Sequence, residues 1–464
     1  MRQIGQDVSE LIQRGLDSNI KVAVTGLSRA GKTAFITSLL NQIQYLSTHH
    51  HLPFLAASQE QRIIGTKRIP QRNLMVSRFD YEQAIAALQS DPPDWPAPTR
   101  DVSETRVAIK YRPEKRTKRL LGKSLTLHID LIDYPGEWLL DLPLLEMSFE
   151  QWSTQQTQQL SGTRKEMATA WMAASQSLNL NDEADEQLLA GIASEFTDYL
   201  HRCKAAGLHW VQPGRFVLPG ELAGAPVLQF FPCLQPEGNV SRRSLTRRAT
   251  TNYEVLKARY EEYQSKVVQG FYREYFSTFD RQVVLVDCLS PLNAGHDSFL
   301  DMQHALVQLL QSFKYGRSGL LSRLFSPKID KVLFAATKAD HVTPDQHAHL
   351  LHLLNQMVQP VWQNVSYENV AMECMTLASV QATRAGYIAT PEGKMHAIQG
   401  TTLGGESVTL FPGEVPEKLP SPGFWQSHRF DFTEFRPCAV ESGQPLPQIR
   451  LDAVLEYLIG DKLR

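Results

Sequence analysis

Residues 21–40 read KVAVTGLSRAGKTAFITSLL, and within them Gly26, Gly31, Lys32 and Thr33 fall in the spacing GxxxxGK[ST]. The stretch before the first glycine, IKVAVTG, is rich in β-branched residues and reads as a buried strand. The stretch after the second, KTAFITSLLNQI, puts Phe35, Leu39 and Leu40 at helical spacing. A strand, loop and helix in that order aim backbone N–H groups and a helix N-terminus at an anion. Ser28, Arg29, Ala30, Gly31, Lys32, Thr33 and Ala34 are therefore the expected phosphate contacts. Lys32 would neutralise the outer phosphates, and the Thr33 hydroxyl would ligate Mg²⁺.

A Mg²⁺–phosphate site needs a second acidic anchor at a strand end. LTLHIDLIDYPGEW (125–138) supplies Asp133, followed by Tyr134, Pro135 and Gly136 in DxxG spacing. Asp133 is the expected second metal anchor, directly or through water, and the Gly136 N–H the expected γ-phosphate contact. KVLFAATKAD (331–340) is another apolar run, ending in Thr337-Lys338-Ala339-Asp340. A carboxylate there accepts from guanine N1–H and N2–H₂, donors that adenine lacks, and the Lys338 stem would lie over the base. VAMECMTLASVQAT (370–383) reads as a strand running into Ala378, Ser379 and Val380, where a backbone N–H would meet guanine O6. GTP/GDP and Mg²⁺ are the cofactors these residues imply.

The elements that must carry these groups are widely spaced. About a hundred residues separate Lys32 from Asp133, and about two hundred separate Gly136 from Thr337. The strand expected after DxxG arrives only at QVVLVDCL (282–289), so roughly 140 residues are inserted there. The reading is a discontinuous nucleotide domain (1–138 and 281–464) and a mainly helical insertion (139–280). The former carries an insert around 46–95 and a β-rich extension around 384–440. In the insertion, Leu188, Leu189, Ile192, Phe196, Tyr199 and Leu200 form one apolar face; Tyr253, Leu256, Tyr260, Tyr263, Val267 and Phe271 form another, expected to be core. Thr343-Pro344-Asp345-Gln346 reads as a capping box, which leaves Asp340 without a capping task.

Composition excludes several classes. The chain of 464 residues has 47 Lys and Arg against 49 Asp and Glu, which argues against a fold given over to nucleic acid. Five scattered cysteines suggest neither a disulfide framework nor a zinc site and fit a reducing cytosol. No apolar run reaches the length of a membrane helix. Basic clusters at 115–119 and 242–248 are solvated loops or points of RNA or peripheral membrane contact.

Phosphate loop, DxxG, TKAD and the 376–380 turn resemble, in that order, the Ras-like and translation-factor GTPase superfamily. At full length, GLSRAGKTAF, DYPGEWLLDLP, QPGRFVLPGELAGAP, DRQVVLVDCLSPLNAG and RLDAVLEYLIGDKL are similar to the bacterial YcjX family of stress-associated GTPase-like proteins. The resemblance implies an α/β, Ras-like P-loop core, a cytoplasmic location and a role as a stress-related switch or chaperone-like factor with a protein partner or activator. Two positions depart from the superfamily. Glu137 stands where glutamine often follows the DxxG glycine, so slow hydrolysis is expected; Glu137 is either a water-orienting group or a solvated turn residue. The switch threonine is assigned to Thr99 rather than Thr105. Arg100 beside it is a candidate arginine finger, Arg29 its rival, and a plain surface arginine the alternative. An ATP-dependent ATPase or kinase, and a nucleotide-bound scaffold with negligible turnover, are the competing functions.

Overall fold

The computed structural model describes residues 18–27, 29–49, 51–98, 101–114, 123–234, 250–312, 329–366, 370–391, 393–428, 430–441 and 443–464. Strands are numbered in chain order: β1 Ser18–Gly26, β2 Ile63–Ile69, β3 Ser77–Arg78, β4 Ser103–Tyr111, β5 Leu125–Asp133, β6 Arg281–Val286, β7 Lys331–Ala336, β8 Ala371–Thr376, β9 Thr383–Thr390, β10 Gly393–Thr401 and β11 Ser407–Leu410. The chain divides into two compact units, one of 1–134, 279–293 and 328–464, the other of 135–278 and 294–327. Residues 294–312, which sequence places in the nucleotide domain, thus group with the insertion.

The first unit is a Ras-like α/β core. Its large sheet runs β2-β4-β5-β1-β6-β7-β8, with β3 on β4. β5, β1, β6, β7 and β8 are mutually parallel, whereas β2 pairs β4 and β4 pairs β5 antiparallel. Parallel strands covered on both faces read as continuous apolar runs, which is why VVLV in β6 and VLFAA in β7 are recognisable; both are buried throughout. Helix Lys32–Tyr45 is covered on all sides from Ala34 to Ile43 rather than along one stripe. Its buried Asn41 and Gln42 are reconciled with the core by bonding Leu446 N–H (2.8 Å) and C=O (2.8 Å). β9, β10 and β11 make a separate antiparallel sheet.

Helix Leu451–Ile459 buries Leu451, Val454, Leu455 and Leu458 against the sheet core. The Thr343 capping box is not formed. A 3₁₀ turn, Pro344–Gln346, begins there with no side-chain cap: the Gln346 oxygen accepts from Val415 N–H (2.6 Å), and its nitrogen donates to Gly413 C=O (3.0 Å) and to the Thr343 hydroxyl (3.0 Å).

The second unit is mainly helical. Helix Asn252–Glu262 continues through a π turn, Tyr263–Val268, into Gln269–Glu274, and Leu256, Tyr260, Tyr263, Val267 and Phe271 are core. Trp152 stacks on Tyr260 (5.2 Å) and meets Phe230 edge-on (5.3 Å). On helix Glu186–Ala205 the predicted face holds except at Leu188, which is exposed in the first turn beside the Asp185 cap.

Residues 136–146 form a long 3₁₀ run that is buried through Leu144. Loop 212–218 clamps it. Gly214 N–H reaches both oxygens of Asp141 (2.8 and 3.0 Å), Gln212 bonds Leu140 C=O (2.5 Å), and the Arg215 guanidinium lies 3.3 Å from the Trp138 ring centre. Burial pushes the Asp141 carboxyl up to about 7, outweighing the Tyr263 hydroxyl, the Gly214 and Arg215 N–H groups and the Arg215 charge, all of which lower it. The folded form therefore holds a proton that the unfolded chain releases near pH 4. Stability from this group is full below that point and is lost as pH rises to about 7. Asp141→Asn should flatten the pH dependence of the unfolding midpoint between about pH 4 and pH 7, a window bounded by the ordinary carboxylate value and the raised one. An unchanged slope in the variant would refute this.

Candidate functional site

Because β5, β1, β6, β7 and β8 run the same way, their C-terminal ends share one edge of the sheet, where ligands of open α/β sheets bind. β1 delivers the loop that begins at Gly26 there. Asp133 ends β5 opposite Val24 of β1 and is buried. β7 hands over to Thr337 and β8 to Leu377 and Ala378.

A cavity of about 590 Å³ opens at this edge. It is lined by Leu27 and Arg29 to Ala34, by Thr337, Lys338, Asp340 and His341, by Ala378, Ser379 and Val380, by Trp95, Pro96 and Pro98, and by Leu403, Glu434 and Phe435. The volume suits a nucleotide-sized ligand. Three separate parts of the predicted site, spread over more than three hundred residues of chain, thus meet around one space.

Gly31 sits at φ 82°, a left-handed conformation costly for any other residue, at the mouth of helix Lys32–Tyr45. Arg29 (φ 63°) and Lys338 (φ 59°) hold the same conformation without being glycine. Strain of this kind persists where surrounding structure over-determines it, and both residues line the cavity.

Asp340 is held by its neighbours. Its Oδ2 accepts from the N–H groups of Ala382 (2.7 Å) and Thr383 (3.2 Å), which uses both lone pairs of that oxygen and leaves Oδ1 as the remaining acceptor. Lys338 Nζ lies 2.7 Å from Asp287 Oδ2. Burial opposes ionisation of Asp287, but Lys338 and the Ser290 hydroxyl and N–H bring its carboxyl down to about 2. The same pairing raises Lys338 despite its burial. Asp287 also caps the following turn through Leu289 and Ser290 N–H (both 3.1 Å).

The other predicted residues are placed differently. Gly136 and Glu137 belong to the second unit, where the buried Glu137 carboxylate pairs with Lys204 at 2.7 Å. Glu137 is therefore not the solvated turn residue of the second sequence reading. Ser28, Thr99 and Arg100 lie outside the described residues, as do the basic stretches 115–119 and 242–248. Thr105 is inside β4, as expected. Thr33 and Asp133 offer a hydroxyl and a carboxylate, hard oxygen donors that fit Mg²⁺ and carry none of the soft ligands other metals prefer.

Sequence reasoning missed Asp287, Trp95, His341, Leu403, Glu434 and Phe435. Trp95 directly precedes Pro96 and Pro98 in the run leading to Thr99, and that neighbourhood is the available signal. Its Nε1 donates to Phe435 C=O (2.7 Å), joining the segment before β4 to the C-terminal extension.

Comparison with known proteins bears on the whole length. The model of the "YcjX-like family, DUF463" matches residues 20–463. The chain is 50% identical over 467 residues to a protein of Escherichia coli named "Ras-like GTPase YcjX", with 100% of each chain covered. It is 44% identical over 477 residues to a protein of the same name from Shewanella oneidensis, covering 100% of this chain and 98% of the relative. On both grounds, the chain belongs to the YcjX-like family.

Proposed function

We propose that the protein binds guanine nucleotide with magnesium and hydrolyses GTP to GDP, working as a stress-related switch or chaperone-like factor in the cytoplasm. The observation that carries this reading is the meeting of phosphate loop, TKAD and the 378–380 turn around one cavity, with Asp340 fixed so that Oδ1 is available to a base. The name shared by the two relatives, "Ras-like GTPase", supports it.

In this reading the loop N–H groups and Lys32 hold the phosphates, and Lys338, braced by Asp287, covers the base. Asp340 accepts from the guanine edge. Thr33 and Asp133, with Thr99, are the ligands for Mg²⁺, which when bound neutralises charge on the phosphate oxygens. Water attacks the γ-phosphate, and Lys32, Thr33 and Arg100 stabilise the charge that develops, with Arg29 the rival to Arg100. The pairing of Glu137 with Lys204 favours slow intrinsic turnover, since a carboxylate engaged by an ammonium is a poor water-orienting base. It also favours the second reading, a nucleotide-bound scaffold awaiting a protein activator. Among the described residues no helix is long and apolar enough to cross a membrane. Contact with RNA or a membrane surface through the basic loops is a further mode of partnership.

The test is binding and turnover of GTP and ATP by purified protein and by Lys32→Ala. GTP should bind and be hydrolysed, and the variant should lose roughly 10²–10³ in turnover, the scale set by removing one charge-stabilising donor. Equal use of ATP would refute guanine selection. Tight GTP binding with no turnover would select the scaffold reading or a missing activator.

A further inference from the structure

Two carboxylates are found among the described residues lining the cavity, Asp340 and Glu434. With guanine nucleotide in the cavity, the reading on which Glu434's role depends, the hydrogen-bond inventory does not close with Asp340 alone. Guanine presents one N1–H and two N2–H hydrogens on one edge, and ribose adds two hydroxyls. Asp340 has Oδ1 left to offer. A donor removed from water without an acceptor costs the binding free energy of at least one hydrogen bond.

Glu434 is placed to answer this. Its backbone is fixed on both sides. Its C=O accepts from Leu403 N–H (3.3 Å), and the next residue, Phe435, is bridged to Thr402 and holds Trp95 Nε1 through its C=O (2.7 Å). The Phe435 ring lies 5.5 Å from that of His341, the residue after Asp340, which sets this segment at the Asp340 side of the cavity. The Glu434 side chain is exposed and makes no ion pair within 4.0 Å among the described residues; Lys338, whose ammonium pairs with Asp287, and His341 feel its charge from further off. An acid lining a cavity that receives a polyanion is unfavourable unless it meets donors, and the donors of such a ligand are on its nucleoside.

We propose that Glu434 is a nucleoside-binding residue whose carboxylate accepts a hydrogen bond from a guanosine donor that Asp340 does not take, on the exocyclic amine or on the ribose 2′-hydroxyl. The C-terminal extension then carries part of the nucleotide specificity, a task performed at a distance of nearly a hundred residues from TKAD in the chain.

Calorimetric titration of the full chain with GDP, IDP, 2′-deoxy-GDP and ADP tests this, in wild type, Glu434→Ala and Glu434→Gln. Diphosphates avoid turnover. IDP lacks the exocyclic amine and 2′-deoxy-GDP lacks one ribose hydroxyl. Wild type should favour GDP over one of these by roughly tenfold, the scale of one hydrogen bond to a charged group. Glu434→Ala should erase that preference while the preference for GDP over ADP, carried by Asp340, persists. Glu434→Gln, which keeps an acceptor oxygen, should retain part of it. Loss against IDP assigns the amine, and loss against 2′-deoxy-GDP assigns the ribose. Ratios unchanged in Glu434→Ala for both analogues overturn the proposal. A wild type that binds GDP no better than ADP overturns the guanine reading itself, and this inference with it.

Discussion

Asp340→Asn is expected to lower affinity for GTP by on the order of 10²–10⁴ and to raise affinity for XTP. The direction follows from how Asp340 is held. Ala382 and Thr383 both donate to Oδ2, so an asparagine placed here keeps its carbonyl oxygen on those two N–H groups. Its amide nitrogen then occupies the position of Oδ1. The group facing the base changes from acceptor to donor, and guanine's N1–H and N2–H₂ meet a donor instead of an acceptor. Xanthine carries a carbonyl in place of the exocyclic amine, so the new donor is matched at that position. Competition binding of GTP, XTP and ATP reads this directly. If the variant binds GTP as wild type does, and ATP competes equally in both, Asp340 does not read the base.

The second large effect lies in the other unit. A Cβ added to Gly214 would collide with the Glu137 carbonyl oxygen and stand 2.5 Å from its carbon, both backbone atoms. No rotamer relieves such a contact, so loop 212–218 or the 3₁₀ run 136–146 must shift. Either shift weakens the Gly214 N–H bonds to a buried Asp141. Overpacking and the weakened Gly214 bonds to a buried carboxyl together should cost roughly 3 kcal/mol or more in Gly214→Ala. The expected result is a poorly soluble or early-melting protein, with hydrogen exchange raised first in 136–147 and 210–218. Wild-type stability and exchange in this variant would contradict the clamp described for that segment.

What is legible in the sequence is local. Gly26, Gly31, Lys32 and Thr33 announce a phosphate loop because the chemistry needs them within eight residues, and Asp340 is legible because Thr337 and Lys338 stand beside it. The buried parallel strands are legible because full burial leaves an uninterrupted apolar run. Asp287, Trp95 and Glu434 are not, since each joins the site from a different part of the chain with no fixed spacing to the motifs. Gln346 misleads for a related reason. A partner distant in sequence, the 413–415 backbone, outcompetes the local cap that its spacing suggests. Leu188 fits a helical stripe by periodicity, yet it sits in the first turn, where the stripe outlasts the packing.

Helix Leu451–Ile459 and the residues after it do more than cover the sheet. Arg281 at the start of β6 is fully buried and holds both Asp330 (3.1 Å) and Asp461 (2.6 Å); Phe54 and Ala56 N–H groups end on Asp452 (3.1 Å) and Glu456 (3.2 Å); Tyr111 reaches Lys462 C=O (2.8 Å). Partners for residues 54, 56, 111 and 281 are thus supplied by residues 452–462. A ribosome delivers the chain from its N-terminal end. The phosphate loop therefore emerges some four hundred residues before the groups that complete the core around it. The nascent first unit must spend most of its synthesis with a sheet half built and, once β6 is out, with an arginine short of a partner. A ribosome stalled before residue 451 would display loop 26–33 without the groups that complete the core around it.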